Sequence, residues 1–334
     1  MNVMAQAGAR DLVSIAAGPA LLEVENLSIR FGPVAAVSSV SFSVRKGEVF
    51  GVVGESGAGK SATAKGIIGL LPPKTKMGGS VRYKGEELIG ASRSRLRQVR
   101  GSNIGYVFQD ALTALDPVRT IGAQLVETLQ IHRTIGNSAA LGMARDLLAE
   151  LKIVDPAATL RAFPHQLSGG MRQRVVLAAA LISEPELIIA DEVTSALDVT
   201  VQRKVLDLLL EACAARGAGV IMITHDLGVV AQTCDRVAVL YGGIVAEQAD
   251  VYALFDSPRH PYTSALLQSM PRIGDHRPFR PIAGSPIQVL GDLRSCPFAA
   301  RCFNRLDECC TALPPRRNVG DSEIRCINPV GVAA

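Results

Sequence analysis

A short apolar run, Val49-Phe50-Gly51-Val52-Val53, leads without a break into Gly54-Glu55-Ser56-Gly57-Ala58-Gly59-Lys60-Ser61. No other stretch restricts the fold as strongly. A continuous apolar run of this length reads as a central parallel strand buried on both faces. The glycine-rich segment is then the turn that follows it, and a helix begins near Lys60. Glycine lets successive backbone N–H groups curl around phosphate oxygens, and a helix start adds unpaired donors and a favourable dipole. In this strand–turn–helix setting the segment is a P-loop. Gly54, Ser56, Gly57 and Gly59 form the phosphate cradle, Lys60 reaches the β- and γ-phosphates, and Ser61 ligates Mg²⁺, with Ala62 beside it.

A nucleotide-phosphate site of this kind needs carboxylates from a second strand. Glu186 to Ala190 is apolar after its first residue and ends in Asp191-Glu192. Side chains at the C-terminal end of a parallel strand point to where ligands bind in open α/β sheets. Asp191 is placed to hold Mg²⁺ directly or through water, and Glu192 to act as general base for an attacking water. A third apolar run, Gly219 to Thr224, ends at His225-Asp226. His225 can hydrogen-bond a γ-phosphate from there; equally, Thr224 or Asp226 can cap a helix. Leu22–Ile29, Val40–Val44 and Arg236–Tyr241 also read as strands. The last is followed by Gly242-Gly243 and a hairpin partner from Ile244.

Residues 121–182 differ in texture. Ile121–Ile131 and Ala139–Leu151 carry apolar residues at helical spacing, with Pro156 and Pro164 as interruptions. Leu167-Ser168-Gly169-Gly170-Met171-Arg172-Gln173-Arg174 then opens an apolar helix ending near Ile182. Ser168 and the two glycines offer a second anion-binding helix start, which Arg172 and Arg174 reinforce. An ordinary Ser N-cap is the simpler account of the same residues.

Composition narrows the class. With 48% hydrophobic and 20% charged residues, 334 residues make a globular chain with a sizeable core. A net charge of +4, from 35 basic and 31 acidic residues, is too even for a nucleic-acid footprint. Nine Phe, five Tyr and no Trp argue against a base- or sugar-stacking surface and against aromatic membrane belts. No run of about 20 apolar residues is present. Residues 1–20 lack the basic start of a signal peptide and read as a frayed extension, which leaves the chain in the cytoplasm.

The order Gly54–Ser61, Gln109, Leu167–Gln173, Asp191-Glu192, Ser195–Asp198 and His225 resembles the ATP-binding subunit of ABC transporters. The resemblance covers roughly residues 20–250. It implies an α/β fold: a P-loop NTPase with a RecA-like core, an antiparallel β subdomain and a helical subdomain at about 110–180. It implies that Phe31 stacks on adenine and that Gln109 senses Mg²⁺ or the lytic water. Ser168, Gly169 and Gly170 would contact the γ-phosphate across a dimer, and Asp198 would link the two subunits. Lys60, Gln109, Glu192 and His225 become the catalytic set, with Ser61, Gln109 and Asp191 on Mg²⁺. The sequence departs from the family pattern at Ala62, Ala111, Met171 and Val193, none of which removes a group that hydrolysis needs.

Phe108-Gln109-Asp110, Thr113–Pro117, His165–Ser168 and Ser257–Thr263 resemble the dipeptide, oligopeptide and nickel importers of that family. This implies an ATPase that powers import of di- or oligopeptides, with nickel, opine or heme as cargo alternatives. The implied partners are a second ABC ATPase subunit, different or identical, two transmembrane permease subunits and an extracytoplasmic substrate-binding protein. No nucleic acid is expected, and the place is the cytoplasmic face of the membrane. A non-transport ABC ATPase of DNA repair or chromosome maintenance is the alternative, but no heptad insertion lies between Lys60 and Asp191.

Five of the seven cysteines fall in the last 39 residues: Cys296, Cys302, Cys309, Cys310 and Cys326. No C-x-x-C pair is present, so a zinc ribbon and the common ferredoxin run are excluded. A cytoplasmic chain disfavours disulfides. The cysteines are then free thiols or a Zn²⁺ or [4Fe–4S] centre. The importer resemblance extends over 251–334, and some tails of that type carry a [4Fe–4S] cluster. It implies Cys296, Cys302, Cys309 and Cys326 as ligands, with Cys310 as spare or as substitute for Cys309.

Overall fold

The computed structural model describes residues 19–193, 199–270 and 281–331. The expected extension is therefore outside the described residues up to residue 18, as is Asp198. The chain forms two compact units, residues 1–89 with 224–334, and residues 90–223.

The first unit begins with an antiparallel sheet of β1 (Leu22–Phe31), β2 (Val34–Val44), β4 (Lys76–Tyr83) and β5 (Glu86–Glu87), in the order β2-β1-β4-β5. The broken alternation of β1 has a physical cause. Leu22 and Val24 are buried, the register shifts before Leu27, and burial resumes at Leu27 and Ile29. The irregularity falls at Asn26, which has φ 48° and whose N–H donates to Ser41 Oγ at 2.8 Å. A bulge of this kind resets which face each later side chain occupies.

β3 (Val49–Val53) is buried at every residue. It pairs in parallel with a later strand of the same unit, β9 (Arg236–Tyr241), and β9 turns back into β10 (Ile244–Asp250). The turn residues Gly242 and Gly243 have φ 53° and 80°, the two positive values a tight hairpin of the primed type requires. The tail adds β11 (Arg317–Val319) and β12 (Ser322–Ile324), giving the order β11-β12-β10-β9-β3.

In the second unit β6 (Ile104–Val107), β7 (Leu187–Asp191) and β8 (Gly219–Ile223) are parallel, in the order β8-β7-β6. Every residue of β7 and β8 is buried. Helices span Ile121–His132, Asn137–Glu150, Pro156–Arg161, Gly169–Leu181 and Val199–Arg216. Pro156 interrupts the apolar pattern by starting a helix of its own, at a first-turn position where its missing N–H is harmless, with Asp155 as cap. No helix among the described residues is long and apolar enough to cross a membrane.

The segment around Ser257–Thr263 is locked by buried polar groups. Glu247, fully buried, accepts the backbone N–H of Arg259 and of His260, each at 2.8 Å. The His260 Nδ1 caps the helix Pro261–Gln268 by accepting the Tyr262 N–H at 3.0 Å. Burial pushes the His260 imidazole down to about 4, against an opposing hydrogen bond with the Arg325 backbone. The Glu247 carboxylate and the Phe298 ring also face this residue. The folded-state value lies below the unfolded one. Between about pH 6.5 and 4 the unfolded chain therefore binds more protons, and stability falls as the pH falls through that window. Denaturant unfolding at pH 7.5 and 5 should show about 2 kcal/mol of stability lost through this group. His260→Asn, which retains a capping side chain, should remove that part of the pH dependence. An unchanged dependence would assign it to other groups.

Candidate functional site

In the first unit β3 ends at the P-loop. Ala58 N–H donates to Glu55 O at 3.2 Å, closing the turn, and Thr63 N–H donates to Gly59 O at 2.9 Å, starting the helix Lys60–Ile67. Two glycines are obligatory. Gly54 has φ 151°, and a Cβ there would stand 2.2 Å from Leu240 O. Gly59 has φ 99°, and a Cβ would stand 2.4 Å from Ala36 O. Lys60 is buried, and its Nζ is turned back over the loop, donating to Gly54 O at 2.8 Å and Glu55 O at 3.0 Å. A buried ammonium over a ring of backbone groups fits a polyanion such as the phosphates of ATP. Ser56 and Gly57 are exposed, and Ser61 and Ala62 half-buried.

His225 is exposed on a turn held at both sides. Thr224 N–H donates to Val52 O at 3.3 Å, so the turn is tied to the strand that feeds the P-loop. Asp226 caps the next helix, accepting from Gly228 and Val229. The capping account of this stretch is thus realised by Asp226, while His225 stays at the surface. Phe31 ends β1 and is 36% exposed, which leaves its ring available for stacking.

The second unit holds the carboxylates. Asp191 is buried at the end of β7 and accepts a 2.6 Å hydrogen bond from the Tyr106 hydroxyl. Burial and this carboxylate raise the Tyr106 phenol far above its ordinary value, so it stays a donor. Glu192 has φ 48°, a sparsely populated conformation for a residue with a Cβ. Its N–H donates to Ile223 O at 3.0 Å. Its carboxylate Oε2 accepts from Gln109 Nε2 at 2.8 Å. The structure therefore brings Gln109 and Glu192 together, 83 positions apart. Gln173, buried, donates from Nε2 to Val193 O at 2.7 Å and fixes the chain just after Glu192.

Ser168 caps the helix Gly169–Leu181, accepting the Met171 N–H at 3.3 Å; Ser168 and Gly169 are exposed and Gly170 is half-buried. Arg174 does not reinforce this helix start. Its Nη1 donates to Lys152 O at 2.7 Å and Leu151 O at 3.4 Å, closing the end of the helix Asn137–Glu150, as basic side chains do at helix C-termini.

Sequence reasoning missed the roles of Tyr106 and Gln173, and those of Tyr262 and Arg301, whose side chains hydrogen-bond to Glu55 of the P-loop. Tyr106 carried a signal as a hydroxyl-bearing ring in the short apolar run Ile104–Phe108, and Gln173 as part of the stretch Leu167–Gln173.

The tail cysteines differ in burial. Cys309 and Cys326 are buried, Cys296 and Cys302 half-buried, and Cys310 exposed. Cys296 N–H donates to Cys309 O at 3.0 Å. The Asn304 and Asn328 side-chain amides each donate to the other's backbone carbonyl at 3.0 Å, stitching the loops of Cys302 and Cys326. Backbone N–H groups point at three sulfurs: Asn304 at Cys302, Phe298 at Cys296, Asn328 at Cys326. Burial pushes the thiols up, to about 11 at Cys296 and about 12 at Cys326, and the neighbouring thiols add to the rise. The donor set matches a four-thiolate centre in number and type. Yet among the described residues no group of three or more His, Cys, Asp or Glu is set to hold a metal ion. The geometry as it stands thus gives no support to an iron–sulfur or zinc centre.

Residues 37–195 match the family described as ABC transporter, and residues 246–309 the family described as oligopeptide/dipeptide transporter, C-terminal region. The oligopeptide transport ATP-binding protein OppD of Mycobacterium tuberculosis is 47% identical over 92% of this chain and 52% of its own. The chain thus spans about half the length of the mycobacterial relatives it matches. The dipeptide transport ATP-binding protein DppD of Bacillus subtilis is 45% identical over 90% of this chain and 92% of its own. Among solved structures, a dimeric post-hydrolysis ATP-binding cassette bound to ADP and Pi is 27% identical, with a TM-score of 0.61, over 69% of this chain and 98% of that one.

Proposed function

The chain belongs to the ABC transporter family, among the ATP-binding proteins that carry the oligopeptide/dipeptide transporter C-terminal region, and from that premise we propose that it hydrolyses ATP to power import of di- or oligopeptides through a membrane permease. The observation that carries the reading is the likeness to a dipeptide transport ATP-binding protein along nine-tenths of both chains. The intact P-loop, with Lys60 turned over its cradle, supports it. We assign residues 21–250 to the ATPase domain and 251–334 to a tail of the importer type.

In this proposal Lys60 and the amides of Gly54–Ser61 hold the β- and γ-phosphates, and Phe31 stacks on adenine. Ser61, Asp191 and Gln109 hold Mg²⁺, which when bound supplies charge neutralisation on the phosphate oxygens. Tyr106 orients Asp191 by donating its hydroxyl to the carboxylate. Glu192 takes the proton of the attacking water, with its carboxylate oriented by Gln109. His225 hydrogen-bonds the γ-phosphate. Ser168, Gly169 and Gly170 serve the nucleotide of a second ATPase subunit, where an exposed helix start is needed, and Asp198 links the subunits. The dimer of the related cassette supports that arrangement. Two permease subunits and an external substrate-binding protein complete the system, with the chain peripheral at the cytoplasmic membrane face.

The test is reconstitution of the full chain with its permease in vesicles. ATP-dependent uptake of a labelled di- or oligopeptide is expected. Uptake of nickel, an opine or heme instead would move the cargo within the importer class, and DNA-stimulated hydrolysis without uptake would overturn the reading. We also propose Cys296, Cys302, Cys309 and Cys326 as ligands of a [4Fe–4S] cluster, on the resemblance of this tail to importer tails that carry one, although among the described residues the thiols as placed form no metal-holding group. Anaerobically purified chain should then contain about four iron and four labile sulfide, with a shoulder near 400 nm; zinc, or no metal, would sink the cluster.

A further inference from the structure

The P-loop is not held by its own unit's sheet alone. Glu55, the residue after Gly54, receives a bidentate hydrogen-bonded ion pair from Arg301, with Nη1–Oε2 at 2.6 Å and Nη2–Oε1 at 3.0 Å. The two positions are 246 residues apart, and Arg301 immediately precedes Cys302 in the tail. The Arg301 side chain is only 7% exposed, and that of Glu55 22%. Its fork is fixed on every side: Nη1 also donates to the Tyr241 hydroxyl at 3.1 Å, Nε donates to Ala283 O at 2.8 Å, and the guanidinium lies over the Tyr241 and Phe298 rings at 5.6 and 5.9 Å. The Glu55 main chain is gripped as well. Its N–H donates to the Tyr262 hydroxyl at 3.0 Å, and its carbonyl accepts from Lys60.

A carboxylate inside a phosphate-binding loop is electrostatically adverse. It stands beside the place where a polyanion docks, and like charges in a partly desolvated site repel strongly. Here a buried guanidinium neutralises that carboxylate and, through the planar fork, fixes its direction away from free rotation. We propose that Arg301 is a positioning residue of the nucleotide half-site: the tail supplies the cation that makes Glu55 compatible with ATP and sets the P-loop for it. This rests on the ATPase reading above and adds to it that the tail is part of the nucleotide-binding apparatus.

Titration of the full-length chain with a fluorescent ATP analogue and Mg²⁺, alongside thermal unfolding without nucleotide, tests this. Arg301→Gln should weaken binding about tenfold, a modest share of what unpairing a buried charge pair does. Adding Glu55→Gln to that variant should recover at least half of the loss on a logarithmic scale, since the uncompensated charge is then gone. A purely structural role for Arg301 would give no such recovery. Should Arg301→Gln fold poorly, Arg301→Lys reads the same coupling: it weakens binding in the wild-type background and not in the Glu55→Gln background. The proposal is overturned by binding within twofold of wild type in the Arg301 variant, or by a double variant no tighter than the single. A wild-type chain that binds no nucleotide would overturn the ATPase reading itself. A wild-type chain that binds, with no effect of Arg301, overturns only the role of the tail.

Discussion

Glu192→Gln is expected to lower ATP turnover of the assembled transporter about a thousandfold, within the range general-base catalysis contributes, while nucleotide binding stays within a few fold of wild type. The substitution keeps side-chain length and the planar end group, and removes only the ability to accept a proton. The backbone at this position is held by the Glu192 N–H on Ile223 O and by Gln173 on Val193 O, so the φ of 48° survives the change. The amide can still pair with Gln109 by offering its oxygen, where the carboxylate now accepts at 2.8 Å. Loss of turnover with retained binding is therefore a loss of chemistry rather than of fold. Phosphate release under saturating ATP, set against analogue affinity, reads the two apart. Turnover within tenfold of wild type would remove Glu192 as the base and return the role to water held by other groups. Gln109→Ala should show a smaller loss, because it frees the carboxylate's orientation and leaves the proton acceptor in place.

The nucleotide motifs were legible because they are local. Val49–Val53 had to be a buried strand, Gly54–Ser61 had to curl, and the observed β3 and the helix from Lys60 are where the residues put them. The apolar runs that became β7, β8 and β9 were legible for the same reason. What escaped depends on chain segments meeting across long separations. β4, with Gly78-Gly79 in its middle, shows no strand pattern and forms because β1 offers an edge to pair with. The tail strands Arg317–Val319 and Ser322–Ile324 are too short to announce themselves, and exist as additions to β10. Arg174 looked like an anion ligand because it neighbours the glycines. The helical rotation of 100° per residue instead aims it at the carbonyls of Leu151 and Lys152. The five tail cysteines suggested a metal centre by number and type, but among the described residues they form no group set to hold a metal ion, since their placement is decided by loops that composition does not encode.

Lys60→Ala should raise the dissociation constant for Mg-ATP about a hundredfold or more, the scale on which removing one member of a desolvated charge pair acts. The ammonium is buried and is held over the loop by Gly54 O and Glu55 O. Two carbonyls lose a charge-assisted donor in the variant, and the expected stability loss is about 1–3 kcal/mol. The drop in affinity must therefore be measured where the variant is folded, by titration at a temperature well below its unfolding midpoint. Adenosine separates the causes. It lacks the phosphates and depends on Phe31 and the surrounding loop, so its weak binding should be the same in both chains. ATP and ADP should lose affinity, ATP more, because Lys60 faces the outer phosphates in the proposed geometry. Raising the salt concentration should weaken wild-type ATP binding and narrow the gap to the variant, since part of the attraction is screened. Equal losses for adenosine and ATP would mean that the loop had collapsed, and unchanged ATP affinity would show that the cradle around Lys60 does not hold phosphate.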